Sequence, residues 1–218
     1  MERYLQIGRI NLKHNLLPHL IIAFVFLFIT PWLMGIENLD GVNTAKILEM
    51  YVALVGIILL TPICLPEQNK DIRDLVEAKF TSVMAVTLIR ILEAVFFLIV
   101  FVGTYILILK YNNCIFPYLK FYLGTLAQAI FLGGLGFFAY QVFDQIAIAY
   151  MFPMVYYIIN FGTGKKLVKE FYLFSMTTFS YKEKKNLAIL GIILIILGVI
   201  YPFVVKKLIP KLIPHRLS

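Results

Sequence analysis

Few residues in this chain could do chemistry, and most of them stand between Pro62 and Arg90, in the stretch PICLPEQNKDIRDLVEAKFTSVMAVTLIR. Its apolar residues Ile72, Leu75, Val76 and Phe80 follow helical spacing and share one face, while Lys70, Arg73, Asp74 and Glu77 occupy mostly the rest of the surface. Pro66 and Glu67 suit the first turn of a helix, where a proline forfeits no hydrogen bond and a carboxylate meets the positive end of the dipole. Charges in this arrangement make and break no bonds. They fit a groove on a soluble partner, or they solvate an amphipathic helix that lies on lipid.

Arg90 and Glu93 follow at the start of the next apolar run. Three residues apart, they can pair on one helix face, and ionisable groups at membrane depth mark function by default. The plainer alternative is an Arg90 that snorkels to the interface with Glu93 neutralising it. Glu49, near the far end of the second apolar run, faces either a cavity or outer water. The string Gly162-Thr163-Gly164-Lys165-Lys166 has the look of a phosphate-binding loop, but Ile159 stands where the first glycine is required and Lys166 replaces the Ser or Thr that would hold magnesium. His14, His19 and His215 lack zinc-ligand spacing. No zinc-protease signature, nucleophile elbow or convincing carboxylate pair occurs. These residues predict no catalytic, cofactor or metal site on this chain. It is expected not to be an enzyme, with any nucleotide chemistry placed on a partner.

The elements that must hold these residues are membrane helices. Of the 218 residues, 61% are hydrophobic, above the roughly half expected of a soluble domain, and mean hydropathy is +0.88. An apolar run of about 18 or more residues marks a membrane helix. Leu17–Gly35, Ile47–Leu65, Val83–Leu109, Phe121–Phe143, Ile146–Gly162 and Leu187–Val205 give six spans in one all-α transmembrane domain. Residues 1–15 read as a short helix lying in the interface, or as a frayed basic terminus that only sets topology. Residues 66–80 form the charged helix after span two. Asp144 and Gln145 make a tight hairpin between spans four and five. Gly133, Gly134 and Gly136 let span four approach its neighbours closely. Residues 163–186 form the longest outer connection. Within it, Leu167–Tyr181 (LVKEFYLFSMTTFSY) is too apolar for a free loop and predicts one or two short helices dipping into the outer leaflet. Its flanking lysines are expected at headgroup level. The tail, 206–218, repeats Lys-Leu-Ile-Pro at Lys207–Pro210 and Lys211–Pro214, a broken basic segment suited to anionic lipid.

Lys and Arg favour cytoplasmic flanks. Arg3, Arg9 and Lys13 before span one, Lys70, Arg73 and Lys79 after span two, and Lys206, Lys207, Lys211 and Arg216 after span six place both termini in the cytoplasm of a multi-pass cell-membrane protein. Lys165, Lys166, Lys169, Lys182, Lys184 and Lys185 break the rule, because six spans put them outside. Cys64 and Cys114 then lie on opposite sides of the membrane and cannot bridge within one chain.

An interfacial helix, six spans, a charged helix between spans two and three and short outer helices before span six together resemble the type-two ABC exporter permeases. The resemblance is most specific in Leu65-Pro66-Glu67, in Ile72-Arg73-Asp74-Leu75-Val76-Glu77-Ala78-Lys79, and in Arg90 at the start of span three. It implies that the helix after span two is a coupling helix seated in a cleft of an ATP-binding-cassette ATPase subunit, with Glu67, Arg73, Asp74, Glu77 and Lys79 at the matching positions. It further implies ATP and Mg on that partner subunit, a second permease subunit in the bilayer, no nucleic acid, and alternating access as the mechanism. Peptide or another amphipathic molecule is the favoured substrate. The alternative is the substrate-binding membrane subunit of a vitamin-type importer, which predicts a small-molecule pocket within one chain and little need of a coupling helix.

Overall fold

The computed structural model describes the backbone of residues 2–69, 71–73 and 83–212. Six helical stretches are long and apolar enough to cross a membrane: Leu5–Met34, Gly41–Gln68, Val83–Tyr111, Tyr118–Phe143, Ile146–Thr163 and Lys182–Val204. No strand occurs among the described residues. The protein is an all-α, six-span membrane protein, and these stretches are spans one to six below.

Successive spans run in opposite directions and give the bundle two distinct ends. One end, the insert end, carries residues 62–69 and 71–73, the Asp144 hairpin and the N-terminal helix Glu2–Asn11, whose Asn11 bonds Glu93 of span three. The other end, the cap end, carries the loops 35–40 and 112–117 and the connection 164–181. There Asn38 N–H donates to the Asn112 carbonyl at 3.0 Å and Ile115 N–H to the Leu39 carbonyl at 3.0 Å.

Three local features differ from the sequence reading. The N-terminal helix does not stop before span one. It continues through a widened π turn, Leu12–Leu16, into Leu17–Met34. Pro18, which has no N–H for the carbonyl of His14, directly follows that turn. Span two is likewise composite. Its last part, Thr61–Gln68, is a 3-10 helix containing Pro62 and Pro66, so Pro66 and Glu67 close span two and do not open the next helix. The chain turns at Asn69, whose side chain accepts from Asp71 N–H at 2.9 Å while its carbonyl accepts from Arg73 N–H at 3.0 Å. Asn69 therefore supplies the cap expected of Pro66 and Glu67.

The third difference is the connection 164–181. It does not rest on the bundle surface. Leu173, Phe174, Ser175 and Met176 are all buried, pressed between spans two, four, five and six. Gly124 of span four makes room for them, since a Cβ there would come within 2.5 Å of the Met176 sulfur. Phe171 and Phe179 stay exposed, on the lipid or solvent side.

Span four is the hub and packs on spans two, five and six. The most apolar windows of spans two and four are 78% and 72% buried, against 33% or less in the other four, so these two spans form the core and the rest surround it. Glycines set the spacing of the hub. A Cβ on Gly56 would sit 2.0 Å from the Ala129 carbonyl oxygen, and one on Gly133 would sit 2.4 Å from that of Gly56. On the opposite face, a Cβ on Gly191 would approach the Cα of Phe131 to 2.7 Å. The small residues of span four thus act in helix packing.

Candidate functional site

At the insert end, the side chains of Glu67 and Arg73 are described, while Asp74, Glu77 and Lys79 lie outside the described residues. Glu67 takes a hydrogen-bonded ion pair from Arg90 Nη1 at 2.8 Å. This corrects the expected Arg90–Glu93 pair. Arg90 is drawn inward to the end of span two, where it also donates to the Ile63 carbonyl at 3.4 Å. Glu93 points to the N-terminal helix and accepts from Asn11 Nδ2 at 2.6 Å. Helix spacing allows the Arg90–Glu93 contact, but the 3-10 segment Thr61–Gln68 offers the buried guanidinium both a carboxylate and a carbonyl.

Arg73 makes the second bridge. Its Nε donates to the Glu67 carbonyl at 2.9 Å, and its two Nη groups form a fork on Asp144 at 2.8 and 2.7 Å. The Asp144 carboxylate raises the Arg73 pKa above the ordinary guanidinium value. Asn15 adds a further tie, donating to the Ile63 carbonyl at 3.3 Å. The helix that begins at residue 71 is therefore connected, through Arg73, Glu67 and Arg90, to spans two and three and to the hairpin between spans four and five.

The cap end holds a polar cluster of a different kind. Lys184 Nζ contacts Glu49 Oε1 at 2.7 Å and Gln128 Oε1 at 2.5 Å, and also donates to the Leu173 carbonyl. All three ammonium protons have acceptors. Glu49 Oε1 also accepts from Met176 N–H at 2.8 Å, and Gln128 Nε2 donates to the Glu49 carbonyl at 2.8 Å. The side chains of Glu49 and Lys184 are 0% and 3% exposed. Nearby, Asn160 Oδ1 accepts from Leu173 N–H at 3.0 Å and Tyr157 OH donates to the Met50 carbonyl at 2.9 Å. Spans two, four, five and six and the inserted connection thus converge on one buried network.

Ion pairs hold three of the six lysines that run against the charge rule. Lys184 is inside the protein on Glu49 and is not at headgroup level as expected. Lys165 pairs with Glu183 at 2.6 Å, and Lys182 pairs with Glu170 at 3.0 Å. A sum over Lys and Arg counts these as free cations, although three of the six are ion-paired.

Gln128 and Asn160 were missed by sequence reasoning. For Gln128 the signal was a strongly polar side chain within an apolar run; Asn160, near the end of span five, read as part of the loop. Among the described residues no group of three His, Cys, Asp or Glu could hold a metal. Cys64 and Cys114 are free and buried at opposite ends of the bundle. The insert end can transmit force and the cap end can hold helices together. No family model matches the sequence, and neither a curated protein nor a solved structure matches the chain.

Proposed function

We propose that this chain is the transmembrane permease subunit of an ATP-driven exporter of the type-two ABC kind. It moves a peptide or other amphipathic molecule by alternating access, and a separate ATPase subunit binds ATP and Mg. The observation that carries this reading is the connectivity of the insert. Through Arg73 and Glu67, a displacement of the helix beginning at residue 71 pulls on Arg90 of span three, on Asp144 between spans four and five, and on the end of span two. A solvated loop helix has no need of such ties, whereas a lever driven by a cytoplasmic motor does. The charge rule at the insert end supports placing that end and both termini in the cytoplasm of a cell membrane. A second permease subunit, alike or different, completes the pathway.

The test is co-purification of an ATP-binding-cassette ATPase with this chain from native membranes. Asp74→Lys with Glu77→Lys is expected to leave membrane insertion intact and to weaken recovery of the ATPase. Undiminished recovery together with undiminished transport would count decisively against the coupling role.

A further inference from the structure

Span four and span six run parallel in constant register, with Gly124 beside Lys184 and Phe131 beside Gly191. Along one side of this pair lies an open groove of about 630 Å³. Span four contributes the stripe Lys120, Leu123, Ala127 and Ile130, spaced to share one helix face. Tyr181, Lys185 and Ala188 supply the opposite wall. The small side chains of Ala127 and Ala188 make the furrow.

Three properties define its occupant. The groove is apolar along its length and cationic at its cap-end mouth, and none of its lining residues is acidic. The amine of Lys184 is consumed by Glu49, Gln128 and the Leu173 carbonyl, which leaves the exposed Lys120 and Lys185 as the cations of the mouth. Lys120 is held over the Tyr181 ring, its amine 5.4 Å from the ring centroid. From Lys120 to Ile130 a helix rises about 15 Å, half of the roughly 30 Å hydrocarbon thickness. The furrow therefore starts at headgroup level and ends near the midplane, spanning one leaflet.

We propose that this groove is a binding site for one anionic phospholipid of the cap-side leaflet, its acyl chain in the furrow and its phosphate between Lys120 and Lys185. A second copy of this chain fits the face poorly. Two-fold pairing about an axis normal to the membrane would bring the mouth lysines of both copies together at one depth, a like-charge contact that opposes association. The site does not depend on the transport reading.

Native mass spectrometry of the detergent-purified chain, offered equal amounts of dioleoyl phosphatidylglycerol and dioleoyl phosphatidylcholine, tests it. Each Lys near an anionic headgroup contributes a factor of about five, so a preference on the order of twentyfold for phosphatidylglycerol is expected. Lys120→Glu with Lys185→Glu should abolish that preference. Lys166→Glu with Lys169→Glu, which alters exposed lysines of the same end outside the groove, should keep it. Ala188→Phe, which fills the furrow, should lower retention of both lipids. Equal retention of the two lipids by the wild-type chain would overturn the proposal. So would unchanged phosphatidylglycerol retention in the Lys120/Lys185 variant, or a detergent dimer that cross-links through Leu123→Cys.

Discussion

Two ion pairs at opposite ends of the bundle, Arg73–Asp144 and Glu49–Lys184, differ in exposure and therefore in use. At the insert end, the Arg73 and Asp144 side chains are 35% and 53% exposed, and Arg90 and Glu67 are 9% and 16% exposed. At the cap end, the Lys184 and Glu49 side chains are buried, 3% and 0% exposed. An exposed pair contributes on the order of 0–1 kcal/mol and can be exchanged for water at little cost. A buried pair is stable only while every partner is present, because removing one strands a charge where nothing solvates it. The Arg73–Asp144 bridge is thus a contact that can be broken and remade at little cost. The cap end is fixed by contacts that tolerate no vacancy, and it holds spans two, four and six in register against the inserted connection.

The largest effect is expected where the comparison is sharpest. Lys184→Met removes the cation and leaves Glu49 and Gln128 facing an apolar side chain, which should cost about 3–5 kcal/mol. The readout is the thermal midpoint in detergent, or loss of the folded protein from membranes. Glu49→Gln combined with Lys184→Met removes both charges and should recover a large part of that loss. If Lys184→Met costs no more than a substitution at Arg73, the cap end is not the lock argued above.

Hydrogen exchange in a lipid nanodisc sharpens the same contrast without mutation. The amides of Leu173 and Met176 donate to the buried Asn160 and Glu49 side chains, so they should exchange among the slowest of any residues outside the spans. The exposed amide of Asp71, capped only by Asn69, should exchange fast. Rapid exchange at Leu173 and Met176 would mean that the connection leaves the bundle in lipid.

The intermediate case is the largely buried Arg90–Glu67 pair. Glu67→Gln keeps the shape but leaves the buried Arg90 with weaker acceptors, and should cost about 2 kcal/mol, the range for a hydrogen bond to a charged group. Exchanging the two residues, Glu67→Arg with Arg90→Glu, should restore part of it. A loss as large as that of Lys184→Met would erase the distinction between the ends.

Individual charged residues of the insert end stood out in the sequence, but their pairing did not, and the cap-end network was not legible at all, for physical reasons. Span number follows from long apolar runs, since lipid requires an unbroken hydrogen-bonded helix with an apolar surface. Arg73, Glu67 and Arg90 stand out because they interrupt those runs near their ends. Their partners were less visible: the choice of Glu67 over Glu93 depends on the 3-10 ending of span two, which helix periodicity does not reveal. At the cap end the pairing of Glu49 with Lys184 joins residues far apart in the chain and leaves no local pattern. Lys184 stands among five other lysines, where composition alone reads a solvated or headgroup segment. The burial of Leu173–Met176 was half visible, in that its apolar content ruled out a free loop. Whether it turned to lipid or into the bundle was decided by Gly124 and by the acceptors on Glu49 and Asn160.

The smallest expected effect on stability belongs to Arg73→Ala, and it bears most directly on the lever. The Arg73–Asp144 fork is bidentate and well aligned, yet both partners reach solvent, so its removal should cost only about 0.5–1 kcal/mol. The loss should shrink further at high salt, where the Debye length falls from about 10 Å at 0.1 M to about 3 Å at 1 M. The mechanical consequence should be larger than the thermodynamic one. Without the fork, the helix beginning at residue 71 keeps its covalent link to span two but loses its tie to the hairpin between spans four and five. Motion of that helix then reaches fewer spans. If the chain is the proposed permease, Arg73→Ala should leave the thermal midpoint and ATPase recovery near wild type while reducing transport per ATP hydrolysed. Lys in place of Arg73 keeps the charge without the planar fork and should restore only part of the coupling. Full transport per ATP in Arg73→Ala would show that the fork is merely a surface contact and that force travels through span two alone.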